Sequence, residues 1–188
     1  MDRPEIAPPA GYPHLKYAQI ERERRWLCAK MPPLALAAPE IFKIVDHYLP
    51  ESELRLRSAA ALHDESNYRR LSKKTQLPDP RHRLITTIYL GEHEYTLMRG
   101  LGGLALTKHR HSFALKGRRI SVDQFGAPLE GLVLAEVEFD DDETMEAYPH
   151  PPFALREVTD DARFSGFALA QMAASAASGI GALIGETR

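Results

Sequence analysis

Polar and apolar residues alternate along eight stretches of the chain, at 17–27, 40–49, 52–60, 67–75, 82–90, 105–113, 119–125 and 131–139. A period of two sends successive side chains to opposite faces of a strand. Each stretch is therefore a candidate β-strand with two distinct faces. Three further segments read as helix. In 92–101 the apolar residues Tyr95, Met98 and Leu101 recur at helical spacing. Segment 141–147 is short and acidic, and 161–183 is rich in Ala, Leu, Met and Gln, which favour helix. Eight strands and a few flanking helices predict an α+β domain dominated by an antiparallel sheet or barrel.

The breaks between these segments carry Pro and Gly. Pro4, Pro8, Pro9, Gly11 and Pro13 interrupt every pattern in 1–15, which reads as a disordered leader. Loops are expected at Met31-Pro32-Pro33, at 75–82 and at 148–152. The main domain then spans 16–170, and 171–188 is an Ala-rich tail expected to be helical. Gly100-Leu101-Gly102-Gly103 reads as the end of the preceding helix. Gly179-x-Gly181-x-x-x-Gly185 follows a helix-like stretch instead of a strand, so it is not read as a dinucleotide loop.

Composition narrows the function classes. Of 188 residues, 24 are Lys or Arg and 26 are Asp or Glu, a net charge of −2 that argues against a protein coating nucleic acid by bulk charge. Anion recognition must come from a local basic cluster. The single cysteine, Cys28, excludes an internal disulfide and fits a reducing, cytoplasmic setting. No run of 18 apolar residues is present, so no membrane span is expected, and the first residues lack the apolar region of a secretory signal.

Charge spacing inside the strands is the informative feature. Glu21, Glu23 and Arg25 share one strand face, as do Arg55 and Arg57, Lys108 and Arg110, and Glu136 and Glu138. The opposite faces carry Leu54 and Leu56, or Val133, Ala135, Val137 and Phe139, which need a core. Taken singly, each pair reads as solvated surface charge. Like charges repeated side by side repel, however, and a neutral surface more naturally mixes signs. One cavity lined by basic and acidic strands explains the whole set. Its basic side chains would bind a polyanion, and its carboxylates a hard divalent cation.

These residues resemble the CYTH superfamily, the triphosphate tunnel metalloenzymes. Ile20-Glu21-Arg22-Glu23-Arg24-Arg25 is similar to its E-x-E-x-K signature. In the same order follow Val45-Asp46-His47-Tyr48-Leu49, Leu54-Arg55-Leu56-Arg57, and the strand ending at Lys74. Lys108-His109-Arg110, Val122-Asp123-Gln124-Phe125, Gly131 through Glu136-Val137-Glu138, and Glu157-Val158-Thr159 complete the set. The resemblance covers about 17–170.

The resemblance implies an eight-stranded antiparallel β-barrel, a tunnel open at both ends, that binds a triphosphate with Mg²⁺ or Mn²⁺. Carried over by position, Glu21, Glu23, Glu136 and Glu138 are metal ligands, with Asp123 supporting the acidic side. Arg25, Arg55, Arg57, Lys74, Arg83, Lys108 and Arg110 bind phosphate. Lys74 and Tyr48 match a pair near the attacking water. Glu157 and Arg163 match positions near the tunnel end. The implied partner is a small triphosphate, with the chain a monomer or homodimer and no nucleic acid or membrane involved.

Two departures stand out. Position 25 is Arg where the signature ends in Lys. After Arg83, Ile85 and Thr87 replace the two carboxylates of the R-x-E-x-E strand of many members. Three functions follow as alternatives: a metal-dependent triphosphatase, a triphosphate or polyphosphate binder without turnover, and a nucleotidyl (adenylate) cyclase. His109 and His111, which face away from the basic pair, read as surface or packing residues. Trp26 reads as core, Arg22 and Arg24 as surface charges, and Cys28 is not read as a nucleophile. The Asp140–Glu143 run reads as a solvated turn and helix start.

Overall fold

The computed structural model describes residues 15–175 and 180–185. The leader, apart from residue 15, and tail positions 176–179 and 186–188 lie outside the described residues. Eight strands appear where the alternation predicts them, with ends displaced by two residues or fewer. They are β1 (Gln19–Cys28), β2 (Glu40–Tyr48), β3 (Leu54–Ala61), β4 (Asn67–Gln76), β5 (His82–Tyr89), β6 (Leu104–Leu115), β7 (Arg118–Phe125) and β8 (Val133–Phe139). All pair antiparallel in the order β5-β4-β3-β2-β6-β7-β8-β1, and β5 returns to β1 to close a barrel. The seam joins Gln19–Arg22 to His82–Ile85. Beyond it, a ninth strand, β9 (Ala154–Glu157), takes over the same edge of β1 at Trp26–Cys28. Four residues bounded by a Pro-rich loop leave too little alternation to announce β9.

The main apolar core lies outside the barrel. The outward faces of β1, β6, β7 and β8 are covered by α1 (Pro33–Leu36) and α3 (Asp142–Ala147). Trp26, Ile120, Val137 and Met145 are fully buried there. Each such side chain stabilises the fold by roughly 1.5–3 kcal/mol. A small barrel usually fills its interior with side chains for this purpose. Here the outer layer supplies the burial, and the interior is left for charges. The Asp141 carboxylate caps α3 by accepting from the Thr144 amide at 2.7 Å, as the acidic run predicts. Arg22 and Arg24 are tied down on this outer side. Arg22 pairs with Asp142, and Arg24 donates to Glu157 and to the carbonyls of Met145 and Tyr148. His111 Nδ1 donates to the Ala35 carbonyl at 2.9 Å, a packing role. Helix α2 (Glu92–Arg99) ends at Gly100, as expected.

One end of the barrel is partly covered by an apolar plug. Leu27, Leu106, Phe125 and Leu134 continue the inward-facing rows of their strands, and they are apolar. A 3-10 turn (Ala162–Phe164) and α4 (Gly166–Ala174) pack onto them through Phe164, Leu169 and Ala170. The tunnel implied by the resemblance is therefore partly plugged at this end: the plug packs on the β1, β6, β7 and β8 side, while the cavity still reaches the exposed Ser52, Glu53 and Gln76. The helix expected over 161–183 is preceded by the 3-10 turn, and α4 and α5 (Ile180–Gly185) follow along that span. Ser165 starts α4 by accepting from the Ala168 amide at 3.2 Å. Among the described residues, no helix is long and apolar enough to cross a membrane.

Candidate active site

Above the apolar plug the inward rows turn ionic. Register sets the first relationship. Asp46 on β2 stands opposite Arg57 on β3. Arg57 grips it in a fork, Nε to Oδ1 at 2.6 Å and Nη2 to Oδ2 at 2.7 Å. Arg55 Nε lies 3.8 Å from the same carboxylate. Burial alone would raise the pKa of Asp46, but Arg57 and Arg55 hold it well below the usual carboxylate range.

The same device recurs across β6 and β7. Arg110 stands opposite Asp123 and forks onto it with two bonds of 2.7 Å, and Lys108 also donates to Asp123. Asp46 and Asp123 both show 0% exposure. Each buried carboxylate holds a basic pair from behind and leaves its forward donors to the chamber. Charged forks of this kind are geometrically rigid.

The acidic wall is built from β1 and β8. Arg25 is paired with Glu136, and Glu23 with Glu138. Arg25 donates to Glu23 at 2.5 Å, to Glu136 at 3.0 Å and to the Phe164 carbonyl of the plug at 2.8 Å. Arg110 reaches the other oxygen of Glu136, and Arg83 reaches Glu23 at 2.6 Å. Burial opposes the charge on Glu136, yet Arg110 and Arg25 push its pKa well down. Glu138 makes no ion pair among the described residues. Burial, then repulsion from Glu21 and Glu23, raises its pKa.

Lys74 on β4 donates to Glu21 at 2.5 Å. Burial lowers its pKa against the pull of Glu21. Tyr48 ends β2 beside the plug, with its ring 6.3 Å from that of Phe167. Burial, then the Asp46 charge, pushes its hydroxyl up to about 12. Gly166 makes room for it, because a Cβ there would collide with the Tyr48 hydroxyl.

Twelve residues proposed from the sequence thus line one cavity of about 320 Å³: Glu21, Glu23, Arg25, Tyr48, Arg55, Arg57, Lys74, Arg83, Lys108, Arg110, Glu136 and Glu138. Asp123 lies behind the wall. Glu157 and Arg163 stand away from the chamber, on Arg24 and Asp161. Lys74 and Tyr48 share the cavity, but the hydrogen bond of Lys74 goes to Glu21. Ile85 and Thr87 face inward at the open mouth instead of the chamber, and the Thr87 hydroxyl lies 2.9 Å from that of Ser72. Among the described residues, no three Asp, Glu, His or Cys side chains stand ready to hold a metal ion. The physical reason is visible: Glu21, Glu23 and Glu136 are each drawn onto a cation. Sequence reasoning missed Asp46 and Arg70. The first looks like any strand acid until its register with Arg57 is known. Arg70 shares its strand face with Lys74 and lines the same cavity.

No family model matches the chain, and no curated protein matches it in sequence. Solved structures do. Two crystal structures of NE1496, one describing it as an inorganic triphosphatase and the other as a hypothetical protein, share 25% identity with this chain at a TM-score of 0.53. The matches cover 80% of this chain and 93% and 96% of those chains. A closed eight-stranded barrel, charged rows turned inward and this likeness together identify the fold as the triphosphate tunnel of the CYTH superfamily.

Proposed function

We propose that the chain hydrolyses a triphosphate with the help of a divalent cation. One observation carries this reading. Two basic pairs, each fixed from behind by a fully buried aspartate, line one small chamber. Phosphoryl transfer to water asks a protein chiefly for charge neutralisation and positioning. Preset donors in a site shielded from water supply both. The likeness to the triphosphatase NE1496 supports the assignment.

Each residue has a role in this reading. Arg55, Arg57, Lys108 and Arg110 bind the phosphate oxygens, and Asp46 and Asp123 fix their orientation. Arg25, Lys74 and Arg83 exchange their carboxylate partners for phosphate oxygens when the substrate enters. That exchange frees Glu21, Glu23 and Glu136 beside the unpaired Glu138. An oxygen-only donor set of this kind fits Mg²⁺ or Mn²⁺. A bound cation would neutralise phosphate charge and polarise the P–O bonds. Lys74 and Tyr48, on the same cavity wall, orient the attacking water. The high pKa of Tyr48 makes it a hydrogen-bond partner and not a base near neutral pH.

A second reading, binding without turnover, is favoured by Ile85 and Thr87, which leave β5 without the two carboxylates. Phosphate release separates the two. The full chain is incubated with inorganic tripolyphosphate or ATP and Mg²⁺ or Mn²⁺, beside calorimetric titrations. Release of inorganic phosphate supports hydrolysis. Binding with no release supports the second reading, and neither binding nor release overturns both.

A further inference from the structure

The open mouth carries a row of aromatic rings that the chemistry in the chamber does not use. Phe42 on β2, Tyr68 on β4 and Tyr89 on β5 all belong to inward-facing rows. Between the first two strands runs β3, whose Ala61 and Ala59 stand opposite Phe42 and Tyr68. These small side chains let the rings lean together, with centroids 5.8 Å apart. Tyr89 meets Tyr68 edge-on at 6.4 Å. Aromatic rings of this size are usually buried, yet Tyr89 is 74% exposed.

Arg70 joins this row to the chamber. It stands opposite Arg57 on one side and Tyr89 on the other. Its guanidinium lies 5.4 Å from the Tyr68 ring. Its Nε is buried and has no hydrogen-bond partner, and the same holds for Nε of Arg55 nearby. Arg70 lines both the chamber and the cavity of about 850 Å³ at the mouth. That outer cavity also takes in Ile85, Thr87 and Tyr89 and runs over the β1–β5 seam to Ile20 and Leu84; of the three rings, Tyr89 lines it. Its size suits a small organic group. This outer cavity is wider than the chamber, and Arg70 and Glu138 line both, so a group attached to a triphosphate held in the chamber has room here.

We propose that Phe42, Tyr68 and Tyr89 form a stacking rim for a planar ring attached to the triphosphate, and that Arg70 holds the phosphate nearest that ring. This rests on the chamber being a triphosphate site. Ile85 and Thr87, uncharged where two carboxylates would stand, keep the passage to the rim free of repulsion against the phosphates. A ring-bearing triphosphate is then held better than a bare one.

The test is calorimetric binding by the full chain in EDTA, where metal-dependent turnover does not run. Three probes are compared: ATP, ribose 5-triphosphate and inorganic tripolyphosphate. Base stacking on aromatic side chains predicts that ATP binds roughly 5- to 150-fold more tightly than ribose 5-triphosphate. Tyr89→Ala and Tyr68→Leu are expected to remove most of that advantage and to change tripolyphosphate affinity by less than about twofold. Tyr89 is exposed, so its loss leaves the fold intact. Arg70→Gln is expected to weaken ATP and ribose 5-triphosphate together. Equal affinity for ATP and ribose 5-triphosphate, or equal weakening of all three probes by the tyrosine substitutions, would overturn the rim. Tight tripolyphosphate binding with no gain for ATP would overturn it too, while leaving the chamber reading intact. If none of the three binds, the chamber reading fails and the rim with it.

Discussion

Asp46 and Arg57 face each other across the β2–β3 ladder and share two hydrogen bonds of 2.6 and 2.7 Å, with the carboxylate fully buried. Removing one partner of such a pair strands the other, at a cost of about 3–5 kcal/mol. Asp46→Asn should destabilise the fold by that order. The sign of the pH effect follows from the direction of the shift. The folded-state pKa of Asp46 lies below its unfolded value of ~3.9. Its contribution is therefore full above about pH 5 and is lost as the pH falls through the acid range. Urea unfolding between pH 7 and pH 3 should show a steeper loss of stability in the unmutated chain than in Asp46→Asn. Parallel curves would contradict the anchoring role.

Glu138 is the opposite case. Among the described residues it lacks an ion pair, and it is repelled by Glu21 and Glu23. Glu138→Gln should leave the melting temperature unchanged or slightly raised while removing most metal-dependent phosphate release. A clear drop in melting temperature would mean that Glu138 serves structure.

Gly166 starts α4 against the Tyr48 hydroxyl. Gly to Ala in a helix ordinarily gains up to about 1 kcal/mol. Here Gly166→Ala should lower the melting temperature, because the added methyl displaces Tyr48 or the helix. Tyr48→Phe removes the hydroxyl and should recover part of the loss in the double variant. Strict additivity in the double-mutant cycle would show that the two sites are not coupled.

Cys28 is buried, and burial pushes its thiol up to about 12. At pH 8 it should resist iodoacetamide in the native chain and react once the chain is unfolded in urea. Rapid native labelling, read by mass spectrometry, would contradict its placement in the outer core.

The strands were legible because alternation is a local property, and the chamber because like-charged pairs at i and i+2 must share a face. Lys108 and Arg110, or Glu136 and Glu138, needed only the period of two. What connects different strands was not legible. Nothing in Val45-Asp46-His47 marks Asp46 as the counter-charge of Arg57, since that depends on register. Arg70, by contrast, stands four residues before Lys74 and shares its face, so the period of two was enough to find it. The apolar plug was hidden for another reason. Phe164 and Leu169 meet Leu27, Leu106 and Leu134 through tertiary packing alone, and the apolar ends of four charged strand faces were the one available sign.

The most direct test of the account is phosphate release from inorganic tripolyphosphate and from ATP by the full chain with Mg²⁺ or Mn²⁺, run beside Lys74→Ala and Arg110→Ala. The account predicts turnover by the unmutated chain that falls at least about 100-fold in both variants, with the secondary-structure spectrum preserved. Absence of release from either substrate, or turnover that survives both substitutions, would contradict it.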